Sequence, residues 1–412
     1  MTEETAGPDY WPTDGWRRTT PQSRGVSPAL LASLFDEIES GGHLIDAVLI
    51  VKDGYLVTEA YREPYSPGDL HQTHSIAKSV LGAAVGVAIG HGAVRGPQAT
   101  LPELFSHADS AEWSAAKRNV SLHDLLTMSS GLDTRDSYLY RWEGLEEMQR
   151  SPDRLAYALD RPLVSGPGSR FEYSNIGSFL LSAAIQETTG RSVYDVARDE
   201  IFTPLGIRHV EWQEGPGGIT RGWGGLRMRP EDLARIGFLY LHGGMWDGQQ
   251  IVPAWWVRES WTDQIRAGTL QPGYGYLWWT DNEGAWMALG YRGQYLIVHP
   301  DTSLVVVMVS NLEPADFELP YRLFRSYILP AARASKPYRP ADIRAAVARY
   351  AAATGAHQAD AVPRANPPEN YPDLSGTYRL PPNVFDMVSF TIDFGPDGIH
   401  GNTFTRRFDD HA

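Results

Sequence analysis

The stretch HSIAKSVLGAAVGVAIG, residues 74–90, ends in the longest apolar run of this 412-residue sequence. Apolar side chains would lie on almost every face of the helix that it predicts, from about Ser75 to His91. That pattern is typical of a helix buried on all sides, and the run is too short to span a bilayer. We therefore expect a core helix around which the rest of the fold packs.

Ser75 and Lys78 stand three residues apart at the start of this helix. Side chains at that spacing share a helix face, with Cβ atoms ~5–6 Å apart. A buried lysine can lose its proton well below its usual pKa of ~10.4, whereas arginine stays protonated. The chain has only four lysines, which leaves few candidates for an amine base. A serine nucleophile with a lysine base is one interpretation, and a purely structural pair is the other.

The Ser-x-x-Lys pattern occurs a second time, at Ser114 and Lys117. Its surroundings, ADSAEWSAAKRN, are polar, so we expect a solvated surface segment there. The pattern by itself is therefore weak, and the apolar helix is what distinguishes the first copy.

The sequence predicts strands near both ends of the chain and helices between them. An amphipathic helix, Pro28–Ser40, precedes two strand-like runs, 47–51 and 55–61, which Asp53-Gly54 joins as a hairpin. Region 119–240 is mainly helical in pattern. Short aromatic or β-branched runs then follow at 274–279, 285–289, 295–299 and 304–309.

This order of elements favours an α+β fold with one antiparallel sheet built from both chain ends, flanked by helices and carrying an inserted, mainly helical lobe. A cleft is expected where the sheet meets the lobe. The predicted divisions are an N-terminal arm (1–27), a main domain (28–335, with the sheet part at about 28–90 and 230–335 and the lobe at about 91–229), and a linker with a small β-rich C-terminal appendage (336–412).

Composition excludes several classes of function. The chain has no cysteine, which rules out disulfides, a thiol nucleophile and thiolate metal sites. Its 50 acidic and 36 basic residues disfavour nucleic acid as a partner. The 12 histidines form no metal-spaced pair, so we expect no metal and no cofactor. The N-terminus lacks a basic segment before an apolar run, so we expect a cytoplasmic protein without a membrane partner.

A second candidate element is Tyr173-Ser-Asn175, which follows a Pro/Gly loop and precedes a predicted helix. In a loop, these residues could direct a phenol and an amide into a cleft, and a phenol near an ammonium can act as a base. The alternative is a turn tyrosine followed by an asparagine that caps the helix.

A third candidate element is Gly290-Tyr291-Arg292-Gly293-Gln294, just before a predicted strand. Glycine allows close backbone approach, and the N–H of Gln294 could donate to an oxyanion together with that of Ser75. The alternative is an ordinary turn that enters the strand.

Taken in this order, the three elements resemble the serine β-lactamase and penicillin-binding protein superfamily. The resemblance is strongest to its class C-like hydrolases, which include family VIII carboxylesterases and 6-aminohexanoate-dimer hydrolase. It extends over about residues 28–335 and is supported by Leu122–Gly131 and by Gly224–Gly237.

The resemblance implies acyl transfer through a covalent acyl-enzyme, without a cofactor. Ser75 would be the nucleophile, Lys78 and Tyr173 would move protons, and Asn175 would orient Lys78 or the substrate. The N–H groups of Ser75 and Gln294 would form the oxyanion hole. The residues implied in substrate binding are Tyr140, Tyr291, Arg292 and Gly293.

The third element departs from the superfamily, because Tyr291 and Arg292 stand where many β-lactamases have Lys-Thr. This puts β-lactam hydrolysis in doubt and points to small esters or linear amides. Arg292 could hold a substrate carboxylate or lie on the surface. The alternatives are an acyltransferase, a D-amino-acid peptidase or weak β-lactamase of the same fold, and a non-catalytic binding protein. The oligomeric state stays open, with a homodimer as one outcome.

Overall fold

The structure is a computed structural model and describes residues 7–108, 113–137, 139, 141–268, 270–281, 283–334, 343–352, 376–379, 387–395 and 398–406. Contacts divide the chain into two compact units, Met1–Ala353 and Thr354–Ala412. The second unit contains a three-stranded antiparallel sheet, and all other elements belong to the first.

The α-helices are, in chain order, α1 (Pro28–Ser40), α2 (Ile76–Gly90), α3 (Leu101–Leu104), α4 (Ala115–Arg118), α5 (Leu122–Leu126), α6 (Glu143–Arg150), α7 (Arg154–Leu159), α8 (Asn175–Thr189), α9 (Val193–Ala197), α10 (Pro230–Leu241), α11 (Ala254–Ser260), α12 (Leu319–Leu323), α13 (Leu329–Arg333) and α14 (Ile343–Ala352). Two π-helical turns, Arg198–Phe202 and Phe324–Ile328, continue α9 and join α12 to α13. Short 3₁₀ turns lie at Pro21–Arg24, Pro216–Gly218, Pro300–Thr302 and Pro314–Asp316.

The strands are β1 (Ile45–Lys52), β2 (Tyr55–Tyr61), β3 (His71–Gln72), β4 (Asp136–Ser137), β5 (Arg141–Trp142), β6 (Val210–Trp212), β7 (Leu226–Met228), β8 (Met245–Trp246), β9 (Gln249–Gln250), β10 (Ile265–Arg266), β11 (Gly273–Tyr274), β12 (Trp279–Thr280), β13 (Trp286–Gly290), β14 (Gln294–His299), β15 (Leu304–Ser310), β16 (Gly376–Arg379), β17 (Met387–Gly395) and β18 (Gly398–Arg406).

One eight-stranded antiparallel sheet organises the first unit, in the order β10-β11-β12-β13-β14-β15-β1-β2. Near its centre, β1 from the first part of the chain pairs with β15 from the end of the domain, so that Ala47 lies opposite Val309 and Val51 opposite Val305. The hairpin between β1 and β2 turns at Asp53 and Gly54, both with positive φ, as a two-residue turn of this kind requires. The predicted fold class, a sheet from both chain ends with helices between, is confirmed.

Helix α2 is the core helix that the apolar run predicted. Its side chains are buried from Ile76 to Ala88, and it packs against β13 and β14 on one side and against α8 and α9 on the other. The helix therefore lies between the sheet and the helical segments. Among the described residues, no helix combines the length and the apolar character that a membrane crossing needs.

The predicted strand 274–279 is wrong in one respect, since it forms a tight reversal between β11 and β12. Leu277 has φ +60°, and its N–H donates to the carbonyl of Leu126 at 3.1 Å. Its own carbonyl accepts a bond from Ser79 Oγ of α2 at 2.6 Å. An aromatic run of this kind has a strand-like composition, but contacts with α2 and α5 hold it as a turn.

Candidate active site

Ser75 lies at the point where the extended chain of β3 becomes helix α2. It has helical φ and ψ of −74° and −5°, whereas His74 before it has φ +48°. Left-handed backbone at a non-glycine residue is uncommon and marks a constrained turn. The first turn of α2 is closed by bonds from the N–H groups of Ile76, Ala77 and Lys78. The N–H of Ser75 precedes these bonds, at the start of the helix.

Lys78 is the centre of the site. Its side chain is 1% exposed, and its Nζ lies 3.0 Å from Ser75 Oγ, 2.9 Å from Asn175 Oδ1 and 3.0 Å from the carbonyl oxygen of Trp223. The last two partners can only accept hydrogen bonds. A neutral amine that donates its two hydrogens to these oxygens therefore has its lone pair left for the hydroxyl of Ser75.

Burial also favours the neutral form of this lysine. It lowers the pKa of Lys78 to about 7, while the nearby carboxylate of Asp136 acts in the opposite direction. A substantial share of the protein thus carries an unprotonated Lys78 near neutral pH, which a proton acceptor requires.

Asn175 is the first residue of α8, but it does not cap the helix. That role belongs to Ser174, whose Oγ accepts a bond from the N–H of Gly177 at 2.7 Å. The Asn175 amide is therefore available to the site, where its Oδ1 faces Lys78 and its Nδ2 donates to Asp136 Oδ2 at 3.1 Å.

Tyr173 lies over Lys78, with its ring centroid 4.7 Å from Nζ, and its ring stacks with that of Trp279 at a centroid distance of 6.2 Å. Burial raises the pKa of the Tyr173 phenol, and a hydrogen bond with Ser75 only partly offsets this rise. Tyr173 therefore carries its proton at neutral pH. The expected loss of that proton beside an ammonium is outweighed by desolvation.

The third element forms the reversal between β13 and β14. Gly290 pairs with Gln294, and a Cβ on Gly290 would lie 2.3 Å from the carbonyl oxygen of Thr73, so this reversal approaches the segment before Ser75 very closely. The buried side chain of Gln294 donates to the carbonyl of Ser310 at 2.6 Å and accepts from its N–H at 3.2 Å. Gln294 is thus held firmly at the first position of β14.

Tyr291 packs against His74, the residue before Ser75. Its ring makes edge-on contacts with His74, with centroids 5.7 Å apart, and with Trp142, at 5.0 Å. His74 is held neutral, because burial and the cations of Arg292 and Lys78 lower its pKa to about 4. The rings of His74, Tyr291 and Trp142 thus form one aromatic cluster that includes the residue before Ser75.

Arg292 and Gly293 complete this reversal, both with positive φ. Arg292 is partly exposed and donates from Nη1 to Asn311 Oδ1 at 2.7 Å, so its guanidinium is already engaged on one side. A Cβ on Gly293 would lie 2.7 Å from the side chain of Leu312. Tyr140, the remaining predicted binding residue, lies outside the described residues.

The site contains two groups that the sequence did not reveal. Asp136, in β4, is 7% exposed and accepts from Asn175 and, at 3.2 Å, from the N–H of Leu145. Burial raises the pKa of Asp136 to about 6, although hydrogen bonds from Leu145 and Asn175 act in the opposite direction.

The other group is the carbonyl of Trp223, which accepts from Lys78 Nζ. A Cβ on Gly222 would lie 2.3 Å from the carbonyl oxygen of Ser178, which explains why glycine stands there.

The second Ser-x-x-Lys copy has a different geometry. Ser114 caps the N-terminus of α4, where its Oγ accepts from the backbone N–H of Lys117 at 3.1 Å. Lys117 is buried rather than solvated, and its Nζ lies 5.3 Å from the ring centroid of Trp113. This copy is a helix cap with a lysine packed on an aromatic ring.

A known protein family matches this fold, in which a serine, a lysine and a tyrosine lie together. The family model described as Beta-lactamase matches residues 31–325, and the chain belongs to this family. The resemblance to the serine β-lactamase and penicillin-binding protein superfamily is thereby confirmed.

Among individual proteins, the chain is similar to the 6-aminohexanoate-dimer hydrolase of Paenarthrobacter ureafaciens, with 25% identity over 314 residues, 70% of this chain and 78% of the relative. A solved structure from Bacillus anthracis, provisionally given the same name, has a TM-score of 0.63 and 21% identity over 80% of this chain and 91% of its own. EstCE1, described as a hydrolase with promiscuous acyltransferase activity, has a TM-score of 0.58 and 16% identity over 73% of this chain and 99% of its own. These structural likenesses show a shared fold.

Proposed function

We propose that this protein is a serine hydrolase that forms an acyl-enzyme with small esters or linear amides. The observation that carries the proposal is the set of three oxygen atoms around Lys78 Nζ. Two carbonyl-type oxygens accept its hydrogens, and Ser75 Oγ lies 3.0 Å away on the remaining side. An amine in this position is a base aimed at one hydroxyl.

In the proposed reaction, Lys78 accepts the proton of Ser75 while Oγ attacks the substrate carbonyl. The N–H groups of Ser75 and Gln294 stabilise the oxyanion, a contribution of about 2.7–4 kcal/mol for each donor. Tyr173 gives its phenolic proton to the leaving group and is reprotonated from Lys78. Water then attacks the acyl-enzyme and gives a proton to Lys78, which passes it to Ser75 Oγ as the acid leaves.

The substrate class is supported by the third element and by the named relatives. Tyr291 and Arg292 replace the Lys-Thr pair of many β-lactamases, and Arg292 is engaged with Asn311. The relative from Paenarthrobacter ureafaciens is named for hydrolysis of the 6-aminohexanoate dimer. Tyr291, Arg292 and Gly293 are the proposed substrate-binding residues, and Tyr140 is kept as a further candidate. We propose a small-molecule substrate in place of a nucleic acid or membrane partner.

The test is intact-mass spectrometry after treatment with a fluorophosphonate, together with hydrolysis of a p-nitrophenyl ester. The wild type should gain one adduct at Ser75, and Ser75→Ala should lose the adduct and fall below about a thousandth of the wild-type esterase rate, because the nucleophile is gone. An unlabelled but folded wild type would favour a non-catalytic binding protein. Near-normal turnover by Ser75→Ala would contradict the assignment.

Acyl transfer to an alcohol or amine is the second candidate, because the neighbour EstCE1 is described as having such activity. The chemistry differs only in what attacks the acyl-enzyme. Product analysis in the presence of an added alcohol separates the two. The ester of that alcohol would identify transfer, and free acid alone would identify hydrolysis.

A further inference from the structure

Asp136 lies behind the proposed base, at the far side of Asn175. Its Oδ2 accepts from Asn175 Nδ2 at 3.1 Å, and its Oδ1 accepts from the backbone N–H of Leu145 at 3.2 Å. Asn175 Oδ1 in turn lies 2.9 Å from Lys78 Nζ. A continuous line of contacts therefore runs from the carboxylate through one amide to the base and on to Ser75.

This line fixes which way the amide of Asn175 points. A carboxylate can only accept hydrogen bonds, so it selects the NH₂ end of Asn175 and leaves the oxygen for Lys78. With the opposite orientation, the NH₂ group would face Lys78 and would attract its lone pair. The lone pair would then turn away from the hydroxyl of Ser75.

The carboxylate also acts on Lys78 through its charge. Burial favours a neutral lysine, and the negative charge of Asp136 partly restores the protonated form. Among the described residues, the other titratable groups that interact with the lysine are the neutral phenol of Tyr173 and the neutral imidazole of His74, which also interacts with the cation of Arg292. Asp136 is thus the anion among the groups acting on the lysine.

We propose that Asp136 is a positioning residue of the hydrolytic site, which orients the Asn175 amide and thereby aims the lone pair of Lys78 at Ser75. The inference rests on the proposed roles of Ser75 and Lys78. It predicts an unusual order of variants, in which the substitution of closest shape is the more harmful one.

The decisive comparison is between Asp136→Asn and Asp136→Ser. In Asp136→Asn, the amide oxygen of the new side chain would accept from the N–H of Leu145, so its NH₂ group would face Asn175. Two NH₂ groups would then oppose each other, and the amide of Asn175 would have to rotate so that its oxygen faces residue 136. The rate of Ser75 phosphonylation by a fluorophosphonate at pH 8 should fall on the order of 100-fold, as small misplacements at reacting groups do. In Asp136→Ser, a hydroxyl that can donate or accept forces no inversion, so the loss should be smaller.

The titration of Lys78 provides a readout that does not require catalysis. With four lysines in the chain, ¹³Cε-lysine NMR can follow each one, and Lys78→Met identifies the signal of Lys78. Removing the anion should lower the midpoint of Lys78 by about one pH unit in both variants. The pH at which the phosphonylation rate falls off on the acid side should move down with it, because the neutral amine then persists to lower pH.

Asp133→Asn is the matched control, since it makes the same chemical change on the same loop at a partly exposed residue. It should leave the phosphonylation rate and the titration of Lys78 unchanged. Circular dichroism and thermal melting test whether each variant is folded.

The inference is overturned if Asp136→Asn is no slower than Asp136→Ser, if the Lys78 midpoint stays in place, or if both variants are unfolded, since Asp136 would then have a structural role. An unlabelled wild type whose Lys78 midpoint still responds to Asp136 would instead contradict the proposed function and leave the electrostatic link standing.

Discussion

At position 78 the fold encloses a lysine almost completely and surrounds its nitrogen with oxygen atoms. Three acceptors satisfy an ammonium, whereas two acceptors and one hydroxyl satisfy an amine, so this environment accommodates both protonation states. Burial destabilises the charged form of Lys78 and lowers its pKa to about 7. The balance makes Lys78 suited to accepting a proton and returning it within one reaction cycle.

Lys78→Arg should reduce esterase activity at least about a thousandfold, because a guanidinium stays protonated in proteins and cannot act as the base. Hydrolysis of a p-nitrophenyl ester measures the effect. Lys117→Arg is the matched control, because Lys117 belongs to the other Ser-x-x-Lys copy and an arginine can keep a cation over Trp113. The role of Lys78 as base would be refuted by comparable activity in the two variants.

The sequence could indicate Ser75, Lys78, Tyr173 and Asn175 because their spacings are short and the resemblance orders them along the chain. Asp136 carries no such signal, since an aspartate between Arg135 and Ser137 is typical of an exposed turn. The fold brings the segment before Asp136 against Gly144, where a Cβ would lie 1.8 Å from the carbonyl oxygen of Thr134. Only the folded chain shows that close approach.

At the level of elements, two backbone reversals bring carbonyl groups into hydrogen-bonding contact with side chains of α2. The turn between β11 and β12 brings the carbonyl of Leu277 to Ser79, and the segment at Gly222 brings the carbonyl of Trp223 to Lys78. The long helices α1 and α2 and the strands β1, β2 and β13–β15 were predictable from their periodicity and composition. These reversals were not, because their conformations depend on contacts with distant elements.

Gly222→Ala should destabilise the protein by about 1–3 kcal/mol, because the added methyl group meets the carbonyl of Ser178 and the side chain of Leu81 in a packed interior. It should also slow ester hydrolysis, since the segment must shift and carry the Trp223 carbonyl away from Lys78. Urea unfolding and the esterase rate measure the two effects. Gly68→Ala is the control, because a Cβ there meets nothing within 4 Å. Equal stability and activity in both variants would refute the argument.

On the scale of the whole molecule, the start of the chain is anchored to residues more than halfway along it. The indole N–H of Trp16 donates to the carbonyl of Glu231 at 3.0 Å, and Arg235 Nε donates to the carbonyl of Pro12 at 2.9 Å. The indole N–H of Trp246 donates to Thr13 Oγ1 at 2.9 Å. Residues predicted to form an irregular arm thus cover the buried pair of Arg235 and Asp232 on α10. Their composition indicated no regular structure, and it could not show where they pack.

Trp16→Ala should lower the free energy of unfolding by about 3–5 kcal/mol, because Trp16 is buried and holds the arm on α10. Chemical denaturation measures the loss. Trp255→Ala removes the same side chain from a site that is 36% exposed and should cost clearly less, about 1 kcal/mol. Similar losses in the two variants would show that the arm contributes little to stability.

The pairing of β1 with β15 has a consequence for how the protein is made. The paired residues lie roughly 260 positions apart, so a ribosome adding about 5–20 residues per second finishes β15 some tens of seconds after β1. β2 follows at once and protects one edge of β1, but the other edge and its apolar side chains wait for the end of the domain. We therefore expect the central sheet to form only after nearly the whole domain has been synthesised, with the nascent chain open to mispairing or chaperone binding until then.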